Sequence, residues 1–310
     1  MKLITICIPT FNRSEFVISQ LNFLLNEITS YKNIIEIRVA DNCSSDFHKE
    51  KLIEFHSKND HFELILNSEN LGLIGNINLL ASKTTTEYVW FLGDDDILKP
   101  GILTQIVNIL SLYKVNYVYL NFDAFYDRED NIVSSNNLLG FSGLIENQDS
   151  FAVNFFKENG TACMFMSSAI HKTETILNLI NYNRHHSITD PLLYFFASAK
   201  SSIYIEEKVL VLDRLSQISW ADQQRDVFSW KVPYTLVEAN EILDYDRNQI
   251  SGLLYEYYKK EKNFAIMLVK APSDIKVKIL KLLKGKRINL LSKSLGYLVS
   301  VVLKKVFKNK

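Results

Sequence analysis

The sequence predicts an α/β fold: a central, mainly parallel sheet followed by a helical C-terminal extension. Three observations lead there. Over the first 125 residues, short apolar β runs alternate with segments of helical spacing, the pattern of strands joined by crossover helices. A polar cluster follows nearly every predicted strand, on the edge where open α/β sheets bind ligands. From Gln223 to Lys270 the pattern is helical throughout, with Pro233 and Gly252 as expected interruptions. At 310 residues and 47% hydrophobic content, the chain can bury one large domain and a smaller appendage.

In order, Leu3 to Ile8 reads as a strand and Ser14 to Ile28 as a helix, with apolar residues at Phe16, Val17, Leu21, Leu24, Leu25 and Ile28. Ile34 to Ala40 is a second strand, with a helix over 47–57. Phe62 to Leu66 is a third, followed by a helix from Ile74 to Ser82. Tyr88 to Leu92 is the fourth, with a helix opening at Pro100, and Tyr117 to Phe122 the fifth. Beyond residue 125 the alternation weakens: an irregular stretch over 131–145, a short helix from Ser150 to Lys157 and a strand from Ala162 to Ile170. Helices over Thr173 to Ile180 and Asp190 to Ala199 and a strand from Ser202 to Leu212 complete that part. The expected division is a domain over 1–222, in halves 1–122 and 123–222, and a helical region over 223–310.

The fourth strand runs into three consecutive carboxylates, Asp94, Asp95 and Asp96. Like charges in a row are tolerated when solvated in a turn or when they share a cation, and the residues alone leave both readings open. Pro9 to Arg13, Asp41 to Asp46 and Asn70 to Gly72 end the first three strands, so four polar clusters fall along one predicted rim.

A net charge of zero conceals a division. Residues 271–310 carry eleven Lys/Arg against one acid, Asp274, while residues 1–270 carry 24 against 34. In the basic tail, Lys alternates with aliphatics from Ile275 to Lys284. The apolar run from Ile288 to Leu303 contains Lys293 and falls short of the roughly 20 residues a span requires. The expectation is an interfacial helix on an anionic membrane surface through residues 272–310, with packing on the protein's own core as the competing reading. Nucleic acid is disfavoured as a partner, because the basic residues are interleaved with aliphatics and aromatics are few. Cys7, Cys43 and Cys163 form no CxxC pair and the N-terminal apolar run is too short for a signal peptide, pointing to a reducing, cytoplasmic location.

Thr5 to Arg13 (TICIPTFNR), Val39 to Asp46 (VADNCSSD), Asn70-Leu71-Gly72 and Phe91 to Asp96 (FLGDDD), taken together, resemble family 2 glycosyltransferases of the GT-A fold, a Rossmann-like nucleotide-diphospho-sugar transferase fold. The FLGDDD form is similar to the abequosyltransferase-like branch, which builds bacterial surface polysaccharides. The resemblance implies inverting transfer of a sugar from a nucleotide-diphosphate donor to a hydroxyl of a glycan or lipid-linked glycan acceptor, with Mn²⁺ or Mg²⁺. It places Pro9, Thr10, Asn12 and Arg13 near the nucleotide, Asp41 on the base with Ser44 shaping its loop, and Asn70, Gly72 and Asn76 along the donor. The family's usual form is Asp-x-Asp-Asp, and here Gly93 stands where its first Asp would. Asp95 then falls on the metal position with Asp96 beside it, the alternative for Asp96 being to orient the loop or cap the helix near Pro100, while Asp94 supplies a carboxylate towards ribose or metal.

By the same resemblance Asp190 is the general base, although Thr189 replaces the acid that often precedes it. A helix cap before Pro191 is the alternative role. His171, His185 and His186 are other candidates, and Trp220 is either a sugar platform or a core residue. A non-catalytic nucleotide-sugar-binding protein is the main rival. A nucleotidylyltransferase would want a Gly-rich basic loop after the first strand, and a Rossmann dehydrogenase would want GxGxxG; neither occurs.

Overall fold

The computed structural model describes residues 2–126, 128–135, 141–146, 150–182, 184, 186–217, 221–260, 263–286 and 288–292. It divides into two compact units, Met1–Ile218 and Ser219–Lys310.

The first unit is built on one sheet. Along the chain come β1 (Ile4–Thr10), α1 (Ser14–Glu27), β2 (Ile35–Asp41), α2 (Asp46–Lys58), β3 (Glu63–Leu66), α3 (Gly72–Lys83) and β4 (Tyr88–Phe91). There follow β5 (Ile97–Leu98), α4 (Ile102–Tyr113), β6 (Tyr117–Phe125), β7 (Ile132–Ser135), β8 (Gly143–Ile145) and α5 (Phe151–Asn159). The unit closes with β9 (Ala169–Lys172), α6 (Thr173–Ile180), α7 (Asp190–Ser198) and β10 (Ile203–Arg214). The spatial order is β3-β2-β1-β4-β9-β6-β10-β5, with β7 on β6 and β8 on β10. Strands β3, β2, β1 and β4 run parallel, as do β6 and β10; β9 lies antiparallel between β4 and β6. The halves expected over 1–122 and 123–222 therefore share one sheet, since β9 is inserted among strands of the first.

Burial explains the pattern. Every residue of β1 is buried, as a strand with neighbours on both edges and helices on its faces requires. Across the sheet, Tyr117 and Tyr119 of β6, Phe151 and Phe155 of α5 and Phe195 of α7 form a fully buried aromatic core. The Phe155 ring lies 5.0 Å from Tyr119, 5.3 Å from Phe151 and 5.6 Å from Phe195.

Several expectations shift. The strand expected from Ala162 is two 3₁₀ turns, Gly160–Met164 and Met166–Ser168, and the ladder begins only at Ala169. The helix expected at Pro100 begins at Ile102, because Gly101 adopts φ +84° and turns the chain out of β5, a strand the sequence did not signal. In the second unit, Pro233 is the second residue of helix Val232–Ile242, directly after a π-helical turn over Val227–Lys231, so the chain changes helix type there, and Gly252 lies inside helix Arg247–Lys260 without breaking it. The break falls between these helices, where Asp244 has φ +55° and Asp246 Oδ1 accepts the N–H groups of Asn248 and Gln249.

The basic stretch after residue 272 forms helix Ser273–Leu282, whose Ile275, Ile279 and Leu282 are buried within the second unit against helix Val232–Ile242. Lys278 pairs with Glu241 at 2.7 Å. Val277, Ile288 and Leu291, 63%, 75% and 43% exposed, are apolar residues that this region presents outward. Among the described residues no helix is long and apolar enough to cross a membrane; 293–310 lie outside them.

Truncating Phe155 to Ala should cost about 3–5 kcal/mol, the range for a buried Phe whose surroundings relax only partly. Urea denaturation monitored by circular dichroism reads this; a loss under 1 kcal/mol would show that the aromatic core does not hold the two halves of the sheet together.

Candidate functional site

The C-terminal rim of β1, β2 and β4 brings the signalled residues together. At the end of β1, Thr10 Oγ1 donates to Asp94 Oδ2 at 2.7 Å. Three residues on, one Arg13 Nη1 reaches both Asp94 Oδ1 and Asp95 Oδ2, each at 3.1 Å. Pro9 is buried within β1, in register with Ala40 of β2.

Asn12, at φ +55°, occupies the left-handed region that asparagine tolerates better than most residues. Its backbone N–H donates to Ser44 Oγ at 2.7 Å, and its side-chain oxygen accepts the N–H of Ser45 at 2.9 Å, tying the loop after β1 to the loop after β2. Asp41 is buried at the end of β2; its Oδ2 accepts the N–H of Ser44 at 3.0 Å, and its Oδ1 is buried with no hydrogen-bond partner. A buried carboxylate oxygen without a donor is a costly arrangement that a ligand N–H would relieve.

Beyond β3, the loop is held by an asparagine network. Asn42 Nδ2 donates to Asn70 Oδ1 at 2.9 Å, and Asn42 Oδ1 accepts the N–H of Leu71 at 2.8 Å. Asn70 Oδ1 also accepts the N–H of Gly72, whose φ of +70° lets α3 start abruptly. Asn76 is buried: its Oδ1 accepts from Asn67 at 2.9 Å and its Nδ2 donates to Ala40 O at 2.8 Å. The side chain of Asn76 thus joins α3 to β2 and β3, and Asn42, which the sequence reading passed over, is the hub of the network.

The three aspartates diverge. Asp96 turns inward, where its Oδ2 accepts the Ser167 hydroxyl and its Oδ1 the backbone N–H of Arg214. Ser167 Oγ also accepts the N–H of Gly93 at 2.8 Å. A Cβ at Gly93 would stand 2.5 Å from Asp96 Oδ2, so glycine there makes the seat for this carboxylate. The sequence reading set Asp96 beside Asp95 as a metal ligand, or else as the residue that orients the loop or caps the next helix; in the structure both Asp96 oxygens accept hydrogen bonds that hold the turn. Asp94 and Asp95 instead face Arg13.

Burial dominates the electrostatics. It lifts Asp94 to about 6 against the opposing pull of Arg13, and raises Asp95 for the same reason. Asp96 is pushed well above the usual carboxylate range by burial, then by Asp213 and Asp95. Asp213, at the end of β10, is itself raised to about 6, by burial and then Asp95. Arg214 Nε donates to Asp95 O at 3.1 Å, and its guanidinium lies over Phe125 at 4.7 Å. Four carboxylates therefore meet two guanidiniums in a partly desolvated site.

Such a set of hard oxygen donors suits Mg²⁺ or Mn²⁺, which proteins commonly hold with one or two carboxylates while substrate phosphates complete the shell. Among the described residues no group of three or more His, Cys, Asp or Glu side chains could hold a metal unaided.

Residues 5–176 match the family described as Glycosyl transferase family 2. The chain belongs to that family. It is 38% identical over 110 residues to the abequosyltransferase RfbV of Salmonella typhimurium, covering 35% of this chain and 32% of the relative. It is 31% identical over 108 residues to the GalNAc(5)-diNAcBac-PP-undecaprenol beta-1,3-glucosyltransferase of Campylobacter jejuni, covering 34% of each. The matches thus span about a third of these relatives' length. The fold is shared with S. aureus TarS 1–349, including its complex with UDP-GlcNAc, at TM-score 0.61 and 14% identity over 91% of this chain and 79% of that one. It is also shared with the mannosyltransferase PcManGT of Pyrobaculum calidifontis bound to GDP-Man and Mn²⁺, at TM-score 0.52 and 11% identity over 99% and 88%. The fold is GT-A.

Within this glycosyltransferase, Asp190 begins α7. Its Oδ1 accepts the N–H of Ser187 at 2.9 Å, and its Oδ2 meets Arg184 at 2.7 Å and His186 Nδ1 at 2.8 Å. The acid does not act as the helix cap: Thr189 holds that position, α7 has no side-chain cap hydrogen bond, and Asp190 is its first residue. His171 is a core residue: burial pushes it down to about 3, and its Nδ1 meets Ser198 Oγ at 2.8 Å. His185 and Trp220 lie outside the described residues.

Sequence reasoning missed Gln20, Ser167, Asp213 and Arg214. Gln20 Nε2 donates to the carbonyls of Gly93 and Asp96 at 2.7 and 3.2 Å. A signal existed for Asp213-Arg214, a charged pair ending a parallel strand on the same rim; the expected strand stopped one residue short of it at Leu212.

The pH dependence of one variant follows. Because the folded pKa of Asp213 lies above the usual 3.8, this group contributes stability at low pH that is lost as pH rises towards 6, and above that its charge opposes folding. Asp213→Asn should therefore stabilise the protein by about 1–3 kcal/mol at pH 7.5 and by clearly less at pH 4.5. Thermal unfolding at both values tests this; a variant less stable than the parent at pH 7.5 would refute the sign.

Proposed function

We propose that this family 2 glycosyltransferase moves a sugar from a nucleotide-diphosphate donor to a hydroxyl of a glycan or lipid-linked glycan in bacterial surface polysaccharide synthesis. The observation that carries the reading is the convergence of Thr10, Arg13, Asp94 and Asp95 on one rim beside the unpartnered buried Oδ1 of Asp41. Asp41 Oδ1 accepts an N–H of the base, and Asn12 and Ser44 hold the loop that positions it. Asn70 and Gly72 border the donor, with Asn76 fixing their loop from beneath. Asp95, with Asp94 beside it, would hold Mn²⁺ or Mg²⁺, and Asp96 keeps the turn in shape. When bound, the cation neutralises the charge that develops on the departing diphosphate. Arg13 shares that task by giving up one carboxylate contact for a phosphate oxygen. The proton of the acceptor hydroxyl passes to the Asp190 cluster, on the face opposite the leaving group. A cytoplasmic protein, peripheral on the inner face of the cell membrane, suits an acceptor assembled on lipid.

Hydrolysis of a panel of UDP, GDP, CDP and dTDP sugars, with and without Mn²⁺, should reveal one preferred donor. Asp95→Ala should lower its turnover at least about 10²-fold, as loss of a charge-stabilising group does. Asp41→Ala should weaken nucleoside-diphosphate binding by about tenfold in calorimetry, the worth of one buried charged hydrogen bond. If the parent bound nucleotide but cleaved no donor, a non-catalytic binding protein would be the better reading.

The membrane contact rests on sequence beyond the packed helix. With Ile275, Ile279 and Leu282 buried in their own unit, we assign the anionic surface within 272–310 to the exposed Val277 and Ile288 and to the Lys-rich residues 293–310. Deleting 293–310 should reduce cosedimentation with phosphatidylglycerol vesicles severalfold while leaving the melting temperature unchanged; undiminished cosedimentation would remove this contact from the account.

A further inference from the structure

The Asp190 carboxylate is poorly placed to receive a proton itself. Its side chain is 1% exposed and that of Arg184 4% exposed, while that of His186 is 27% exposed. The backbone N–H of Ser187, the Arg184 guanidinium and His186 Nδ1 all engage the carboxylate, so its oxygens are turned to the protein. Paired with a carboxylate, Nδ1 is the nitrogen that donates, which leaves Nε2 as the ring atom that can meet another partner. Ser187 Oγ lies 3.0 Å from Thr189 Oγ1 and accepts the N–H of Thr189 at 3.3 Å, fixing the turn that carries the imidazole.

The turn shares its support with the donor rim. Tyr194, one helical turn beyond Asp190, donates to Asn78 Oδ1 of α3 at 3.2 Å, and its ring centre lies 6.5 Å from that of Phe91 in β4. Phe91 stands three residues before Asp94, and α3 carries Asn76. Among the described residues, Arg184 and the Tyr194 phenol interact electrostatically with Asp190, and burial and then Asp190 keep that phenol un-ionised.

We infer that His186 Nε2 is the atom that takes the proton of the acceptor hydroxyl, with buried Asp190 orienting the imidazole and balancing the charge it acquires. This inference rests on the transfer reading above and deepens it. As the acceptor oxygen bonds to the anomeric carbon, its O–H bond breaks and the proton goes to Nε2. The anomeric bond to the diphosphate oxygen breaks in the same step, its electron pair leaving with the nucleoside diphosphate. The imidazolium then returns its proton to water. Arg184 anchors the Asp190 carboxylate from the buried side, so that the imidazole and not the acid meets the acceptor.

The test uses the full chain, the preferred donor from the panel and water as acceptor. His186→Ala should lower turnover by about 10²–10⁴-fold, the usual contribution of a general base, with nucleoside-diphosphate affinity unchanged. Added imidazole should restore part of it, which a structural role would not allow. Asp190→Asn should lose activity without imidazole rescue. In ¹⁵N spectra of the parent, His186 should carry its proton on Nδ1, and Asp190→Asn should populate the other tautomer. A His186→Ala variant within threefold of the parent, a failed rescue, or a parent proton on Nε2 would overturn the assignment. An active parent indifferent to His186 would overturn this assignment alone, whereas a parent that binds nucleotide and cleaves no donor would overturn the transfer reading with it.

Discussion

The turn after β4 concentrates like charge where a sheet rim gives it little water, and the organisation of the first unit answers that constraint. Desolvation opposes ionisation of Asp94, Asp95 and Asp96, and the structure offsets it differently at each position. Arg13 spans the two outward carboxylates, while Asp96 is folded under the turn onto the Ser167 hydroxyl and the Arg214 backbone. The short pairing of Ile97 and Leu98 with β10 then closes the turn from the far side. Groups from three separate stretches of chain meet around three consecutive residues.

Much of this was legible in the sequence because periodicity and strand-end chemistry are local. The parallel strands from Ile4 to Phe91 and their helices follow from short apolar runs and helical spacing, and the rim follows from polar clusters where those runs stop. The family resemblance added roles that residues alone left open, such as Asp41 on the nucleotide base. What the sequence concealed was non-local. Nothing near Gly93 in the chain indicates that the Asp96 carboxylate and Ser167 will pack against it, and Ser167 fell within an expected strand whose small residues form 3₁₀ turns instead. The basic segment after 272 was ambiguous for a related reason: an amphipathic face reads the same whether a membrane or helix Val232–Ile242 covers it.

The rim also separates two ways of using polar side chains. The asparagines around β2 and β3 mostly bond to one another and to backbone, so they set loop shape and leave recognition to a few atoms. Asp41 Oδ1, by contrast, is buried and without a donor. Around Asp190 the division recurs: the acid is enclosed and held by donors, while the imidazole beside it is partly exposed. In both places the charged group that sequence singles out is held in position by neighbours whose identity only folding reveals.

The antiparallel placement of β9 has a consequence for how this chain reaches its native state. Strands β4 and β6 each pair with β9 and not with one another, so residues 117–125 cannot join the sheet beside β4 until residues 169–172 have arrived. During synthesis, the first four parallel strands can assemble early, but the edge of β4 stays open while some eighty further residues emerge. Ser167 arrives with β9, so the acidic turn lacks its inner anchor over the same interval. Long-range pairing of this kind slows folding and leaves an unpaired edge exposed to other chains. Yield of soluble protein should therefore depend on the rate at which residues 117–172 are made and docked, a constraint that the finished sheet no longer displays.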